Sequence, residues 1–244
     1  MKKPAARLYG ALCFLLSVAA FLYLIGFTGN LLVPKSIDTS KPSPPAAALI
    51  IDSALLSLFA LQHSLMARQW FKRRWTQLIP PPLERSTYTF LASLSLGLLY
   101  WQWRPITQTV WSIPSPPLHT ALYALFCAGW IITFVASALV SATELFGLSQ
   151  VRSYVEDKPH TPTGFKTPGL YKAVRHPIYL GLLLAFWSVP VMTLGHLLFS
   201  SVMTAYILLA IPLEERDLIA VFGEAYRRYR LRTPMLLPFL KRPR

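Results

Sequence analysis

Cysteine and charge are both scarce in this 244-residue chain, and each shortage closes off a class of function. The two cysteines, Cys13 and Cys127, fall inside apolar segments with no metal-ligand spacing. A disulfide framework and a thiolate metal centre are therefore unsupported, and both residues are expected to be buried small apolar groups. Nothing in the sequence requires a metal. Charged residues are 14% of the chain against 54% hydrophobic, with a mean hydropathy of +0.43, which is too apolar for an ordinary soluble domain. Internal repeats are absent too, as is a linker long enough to separate two folded domains, so residues 1–244 are expected to form one domain.

What is present is a series of apolar runs near the ~20 residues needed to cross a bilayer. They cover roughly 8–33, 46–66, 86–103 and 119–143, followed by a longer region, 178–213. Pro190, Gly195 and His196 lie near the middle of that region, which predicts two short helices joined around Thr193–His196 and six crossings in all. The net charge of +14 would suit a nucleic acid, but the basic residues lie between the apolar runs, so the lipid bilayer is the partner and nucleic acid is not. With six crossings, all of the 24 basic residues except Lys35, Lys41 and Arg104 fall on one side, which places both termini in the cytoplasm. The first run has a basic start like a signal peptide, yet no small-residue cleavage pattern closes it, and it is read as an uncleaved helix. Trp101 and Trp103, at the end of the third run, are expected as interfacial anchors.

Two cytoplasmic pieces carry the unusual residues. The stretch GLYKAVRHPIYLG (169–181) sets Arg175 and His176 at the mouth of an apolar segment. Pro177 suits the first helical turn, where free N–H groups make an electropositive end fit for a carboxylate or for ring acceptors of a ligand. The alternative is a basic cluster meeting lipid headgroups. The second piece, 213–230, reads as a helix with Leu218, Val221, Phe222 and Tyr226 on an apolar face, and begins with Glu214, Glu215 and Asp217 around Arg216. Those carboxylates need partners: salt bridges to Arg175 or Arg227 on one reading, the ribose hydroxyls of a nucleoside on the other.

Together the two pieces resemble the isoprenylcysteine carboxyl methyltransferase superfamily of integral-membrane methyltransferases, from FKTPGLYKAVRHPIYLG (165–181) through LEERDLIAVFGEAY (213–226). The resemblance implies that Tyr171, His176 and Glu214 hold S-adenosylmethionine, with Arg175, Tyr179 and Glu215 beside them and backbone contacts from Phe165 and Lys166. Where the prenylcysteine enzymes have an acceptor-linked arginine, this chain has Ala210, which argues against a prenylated-protein acceptor. The segments QHSLMAR (62–68), ERSTY (84–88) and WQWRP (101–105) resemble the bacterial branch of methanethiol S-methyltransferases and NnrU-type membrane proteins. That likeness implies methyl transfer to a small thiol, methanethiol, yielding dimethyl sulfide. Another thiol, an isoprenoid acceptor or a non-catalytic accessory role stay open as alternatives.

Alkyl thiols titrate above the roughly 8.5 of cysteine, so a base or cation near the acceptor is expected. His63 is the leading candidate, near the cytoplasmic end of a span with Gln62 and Ser64 beside it. Glu84, Arg85 and Tyr88, entering the third span, could orient His63 or screen a thiolate; equally, Glu84 and Arg85 could be an interfacial ion pair. Asp52 is expected to pair inside the bundle. The expected architecture is an all-α integral membrane protein, a bundle of about six transmembrane helices whose last two form a short hairpin, with a cytoplasmic cofactor-binding cap. Residues 1–143 form its four-helix part and 144–244 its cofactor-binding part.

Overall fold

Apolar runs bounded by proline and asparagine become helices with legible ends. The computed structural model describes residues 2–39, 43–161 and 164–238. Helix α1 (Lys3–Gly29) stops where Asn30 turns left-handed and returns its N–H to the Gly26 carbonyl. Helix α2 (Pro45–Met66) opens on a proline whose missing donor costs nothing at that position. A short α3 (Gln69–Trp75) leads to α4 (Glu84–Gln102), a strand β1 (Thr109–Ser112) and α5 (Pro116–Val140). Two short helices, α6 (Ala142–Leu145) and α7 (Leu148–Val155), precede α8 (Pro177–Trp187), β2 (Val191–Thr193), α9 (Leu194–Phe222) and α10 (Glu224–Arg232). Helices α1, α2, α5 and α9 are long and apolar enough to cross a membrane, and the chain is a largely helical membrane protein.

Contacts divide the chain into two compact units, and α9 begins in one and ends in the other. The first unit comprises Met1–Ser112, Thr143–Thr161 and Val191–Met203. In it α4 packs on α1 and α2, and α7 on α1. Its aromatic centre joins Phe27, Trp103 and Phe199, with Phe27 and Trp103 edge to face at 5.6 Å. Trp103 is fully buried and donates its indole N–H to the Ile37 carbonyl, so it is a core residue and not the interfacial anchor expected; Trp101 is the exposed one. Asp52 is buried and accepts from the Arg104 backbone N–H at 2.9 Å. Both cysteines are free thiols; Cys13 is buried as expected, but Cys127 is exposed, because it lies on a face of α5 that no other described element covers.

The second unit comprises Ile113–Ala142, Pro162–Pro190 and Thr204–Arg244. Here α5 crosses α8 through Gly129 and Gly181. A Cβ at Gly129 would lie 2.6 Å from the Gly181 carbonyl, so only glycine permits this approach of two backbones. Further along, Leu236 buries itself against Ile207 and Ile211 of α9.

Four departures from the sequence reading have physical causes. The break in 178–213 falls at Ser188–Pro190, where proline cannot continue α8, and α9 runs unbroken through His196, so only the first arm of the expected hairpin is short. Gly195 marks a close approach to Ile106 rather than a turn. The extended residues between the helices pair with β1, an antiparallel ribbon with an irregularity between Thr109 and Trp111 that is too short to show in periodicity. Lastly, 213–230 is not one helix. Gly223, at φ +56°, separates α9 from α10, and Val221 is exposed instead of belonging to an apolar face.

Candidate functional site

The start of α8 and the end of α9 meet in the second unit. Pro177 takes the first helical position, as its fixed φ favours, and the two residues before it, Arg175 and His176, are drawn inward and buried. Arg175 Nε donates to Glu215 Oε1 at 2.7 Å, with the two side chains 3% and 5% exposed. Arg230 Nε reaches the other oxygen, Oε2, at 2.9 Å, and His176 Nε2 lies 3.2 Å from Oε1. A buried carboxylate is stable only among opposite charges and donors, and here Arg175 supplies the aligned hydrogen bond while Arg230 Nε meets it as an ion pair by proximity, without hydrogen-bond alignment. Arg175 also donates through Nη1 to the carbonyls of Arg230 and Thr233, at 3.0 and 2.5 Å. The backbone N–H groups of Arg175 and His176 donate to the Pro234 and Met235 carbonyls. The C-terminal segment is thereby fastened across the entrance of α8.

Glu214, one residue earlier, is in another situation. Its side chain is 42% exposed; Oε2 accepts from the Tyr179 hydroxyl at 2.9 Å and stands 3.9 Å from His176 Nδ1. The His176 and Tyr179 rings stack at 5.6 Å. Of the two adjacent glutamates, one is locked in an ion network and the other keeps a carboxylate available to a ligand.

Aromatic rings close the same region. Phe165 packs on Phe222, Tyr226 and Tyr229 at 5.4–5.7 Å. Tyr229 donates its hydroxyl to the Tyr171 carbonyl at 2.6 Å, and the Tyr171 hydroxyl makes a long 3.4 Å bond to the Ala136 carbonyl. Tyr226 is 2% exposed and its hydroxyl has no hydrogen-bond partner among the described residues. Burial pushes the Tyr229 phenol up to about 12 and raises Tyr171 and Tyr226 as well, with the nearby glutamates adding to the effect on the latter two. All three phenols are therefore neutral donors at ordinary pH. Beside them Arg175, Glu215, Arg216, Arg230, Ile211 and Met235 line a cavity of about 260 Å³. Lys166 is exposed to solvent.

The residues singled out near the acceptor lie in the first unit. His63, in the last turn of α2, accepts or donates at Nε2 to the Tyr88 hydroxyl at 2.9 Å and stacks on Phe59 at 5.3 Å. The Arg85 guanidinium stands 5.0 Å over the Tyr88 ring and donates from Nε to the Leu145 carbonyl. His63, Tyr88 and Arg85 thus form one stack. Glu84 opens the same helix, and its Oε1 is buried with no hydrogen-bond partner among the described residues. Gly147, in the left-handed region at φ +84°, lets the chain after α6 pass against Ser86, since any Cβ there would meet the Ser86 nitrogen at 2.6 Å.

Sequence reasoning missed Arg230, Tyr229 and the hydroxyl of Tyr226 as site groups. The signal was available: positions 226, 229, 230 and 233 follow the i, i+3, i+4, i+7 spacing of one helix face. It was masked because arginine and tyrosine do not register as an apolar stripe.

Comparison with known proteins follows the same lines. A family model described as a protein of unknown function (DUF1295) matches residues 84–233. The chain is similar to the methanethiol S-methyltransferase of Crocosphaera subtropica, 49% identical over 240 residues that cover 98% of this chain and 94% of the relative. It is 52% identical over 237 residues to methanethiol S-methyltransferase 1 of Bradyrhizobium diazoefficiens, covering 97% of this chain and 83% of the relative. With the methanethiol S-methyltransferase of Mycobacterium tuberculosis it shares 47% identity over 239 residues, 98% of each chain. No solved structure matches it.

Proposed function

The chain belongs to the methanethiol S-methyltransferase family, and to the DUF1295 family, and from that membership we propose that it methylates methanethiol to dimethyl sulfide with S-adenosylmethionine as the donor. When bound, S-adenosylmethionine supplies a methyl group already activated on a sulfonium centre. What remains for the protein is to bind and orient the two reactants, keep water out and free the thiol of its proton. The thiolate sulfur forms the new bond to the methyl carbon as the sulfonium carbon–sulfur bond breaks, and dimethyl sulfide and the neutral thioether S-adenosylhomocysteine leave.

The observation that carries the donor assignment is the division of labour between Glu214 and Glu215. Glu214, half exposed and held on one oxygen by Tyr179, would accept the ribose hydroxyls. Glu215 holds Arg175, His176 and Arg230 in place and is itself fully engaged. The buried, unpartnered hydroxyl of Tyr226 fits a polar edge of a nucleoside, since an orphan of this kind is costly until something pairs with it. The cavity falls just short of the ~300–1,000 Å³ of ordinary ligand pockets. Its lining residues Arg175, Glu215 and Arg230 belong to the ion network beside Glu214. Tyr171, Phe165 and Lys166 complete the donor side.

On the acceptor side, His63 takes the thiol proton, Tyr88 fixes its ring, and the Arg85 cation lowers the cost of the thiolate. Glu84 is the remaining group assigned to this side. Residues 1–244 are read as one membrane methyltransferase domain, 1–143 serving the acceptor and 144–244 the donor. Helices α4 and α8 supply the fifth and sixth crossings, α8 being an 11-residue helix completed by the extended chain after it. Both termini and the donor site face the cytoplasm, in a bacterial inner membrane.

Isothermal titration of the detergent-purified protein with S-adenosylhomocysteine tests the donor assignment. Binding by the wild type that is lost or much weakened in Glu214→Ala is expected. Equal binding by the two would remove Glu214 from the site.

A further inference from the structure

Helix α10 has two faces with different duties, and the donor site is only one of them. Its inward stripe is Tyr226, Tyr229, Arg230 and Thr233, the groups that meet Phe165, the Tyr171 carbonyl, Glu215 and Arg175. Its outward side carries Arg227, Arg228 and Arg232 around Leu231, a leucine 76% exposed. Among the described residues the ion pair on that side joins Arg227 to Glu224, 3.8 Å apart across the surface, and it is too exposed to satisfy three guanidinium groups.

The chain leaving α10 fixes the depth at which this face lies. Arg175 and His176, at the entrance of α8, bind the Pro234 and Met235 carbonyls, and Leu236 is buried on Ile207 and Ile211, within the long apolar helix α9. Both Ile207 and Ile211 precede Glu214, so they belong to the apolar stretch before the first carboxylate. Leu236 thus reaches the edge of the hydrocarbon layer, while its neighbour Leu237 stays exposed. Four to five residues back along the chain, at the end of α10, Leu231 and Arg232 lie where apolar tails give way to headgroups. Exposed leucine flanked by arginines is the composition that seats a helix in an anionic lipid interface.

We infer that the outward face of α10 rests on anionic phospholipid headgroups and that this contact holds the inward face in the arrangement that binds the methyl donor. The partner is a bilayer surface of negative charge, chosen because the face offers arginines for phosphate and an exposed leucine, Leu231, for acyl chains, a pairing that a soluble polyanion does not match. The inference rests on the donor site proposed above and adds a regulator to it. Since one rigid helix joins the two faces, and Arg230 carries the link to Glu215, donor affinity and headgroup charge are coupled.

The test uses the full-length protein in nanodiscs of phosphatidylcholine alone or with added phosphatidylglycerol, measuring the dissociation constant of S-adenosylhomocysteine by calorimetry. Binding at least about fivefold tighter with phosphatidylglycerol is expected, the lower end of typical coupling between sites. In the Arg227→Gln, Arg228→Gln, Arg232→Gln triple variant the affinity should match that of wild type in phosphatidylcholine and should no longer respond to phosphatidylglycerol. Equal wild-type affinity in the two lipids overturns the inference without any variant. So does a full lipid response in the triple variant, or restoration of tight binding in phosphatidylcholine discs by soluble glycerol phosphate, which would mark a free-phosphate site instead of a membrane contact. Absence of wild-type binding in either lipid would instead overturn the donor assignment beneath it.

Discussion

Arg175 grips Glu215 at 2.7 Å with both side chains withdrawn from solvent, although they are forty residues apart. The pair joins the start of α8 to the end of α9 and fixes the ground on which Glu214, Tyr179 and α10 are arranged. Its worth lies in placement more than in attraction, since the cost of burying two charges offsets much of what they gain from each other.

Removing one partner should therefore hurt more than removing both. Arg175→Ala is expected to lower stability by about 3–5 kcal/mol, because it removes the one buried guanidinium aligned on Glu215 and leaves only His176 and the half-exposed Arg230 to balance that charge. The double variant Arg175→Met, Glu215→Leu is expected to lose less than the single variant. Thermal unfolding in detergent, followed by circular dichroism, measures the order; a double variant worse than Arg175→Ala would mean that the ions stabilise outright.

Glu214 should behave in the opposite way. Glu214→Gln is expected to leave the unfolding temperature near that of wild type and to weaken S-adenosylhomocysteine binding roughly ten- to a hundredfold, the loss of hydrogen bonds to a charged acceptor. If the effect falls on stability and spares affinity, the carboxylate serves the fold and not the ligand.

Tyr226→Phe deletes a hydroxyl that has nothing to bond with in the unliganded protein. Stability without ligand should stay level or rise, whereas affinity for S-adenosylhomocysteine should fall roughly three- to tenfold. Unchanged affinity would show that the buried hydroxyl is merely tolerated.

His63→Ala is expected to lower kcat by about two to four orders of magnitude while S-adenosylhomocysteine binds as before. Tyr88→Phe should have a smaller effect in the same direction, because it loosens the imidazole without removing it. Parallel loss of cofactor affinity in His63→Ala would point to a structural histidine.

How far the sequence could foresee this follows from what a single chain can show. Helix ends at Pro45 and Pro177 are legible because proline acts locally, and the apolar runs of α1, α2 and α5 announce themselves by length. The expected salt bridge from the glutamate pair to Arg175 is present, but which glutamate takes it was not legible. Adjacent residues on a helix point about 100° apart, and only the packing of α10 decides which one is buried. Trp103 was misplaced for a related reason. A tryptophan at the end of a span reads as an anchor until Ile37, more than sixty residues away, supplies a carbonyl for its N–H. The β1–β2 ribbon is made by pairing between distant short segments, which local patterning does not record.

The most direct test of the central claim is headspace gas chromatography of the purified protein in nanodiscs, supplied with S-adenosylmethionine and methanethiol, beside a Glu214→Ala control. Dimethyl sulfide is expected from the wild type, with little or none from the control. Wild-type protein that binds S-adenosylhomocysteine yet releases no dimethyl sulfide would contradict it.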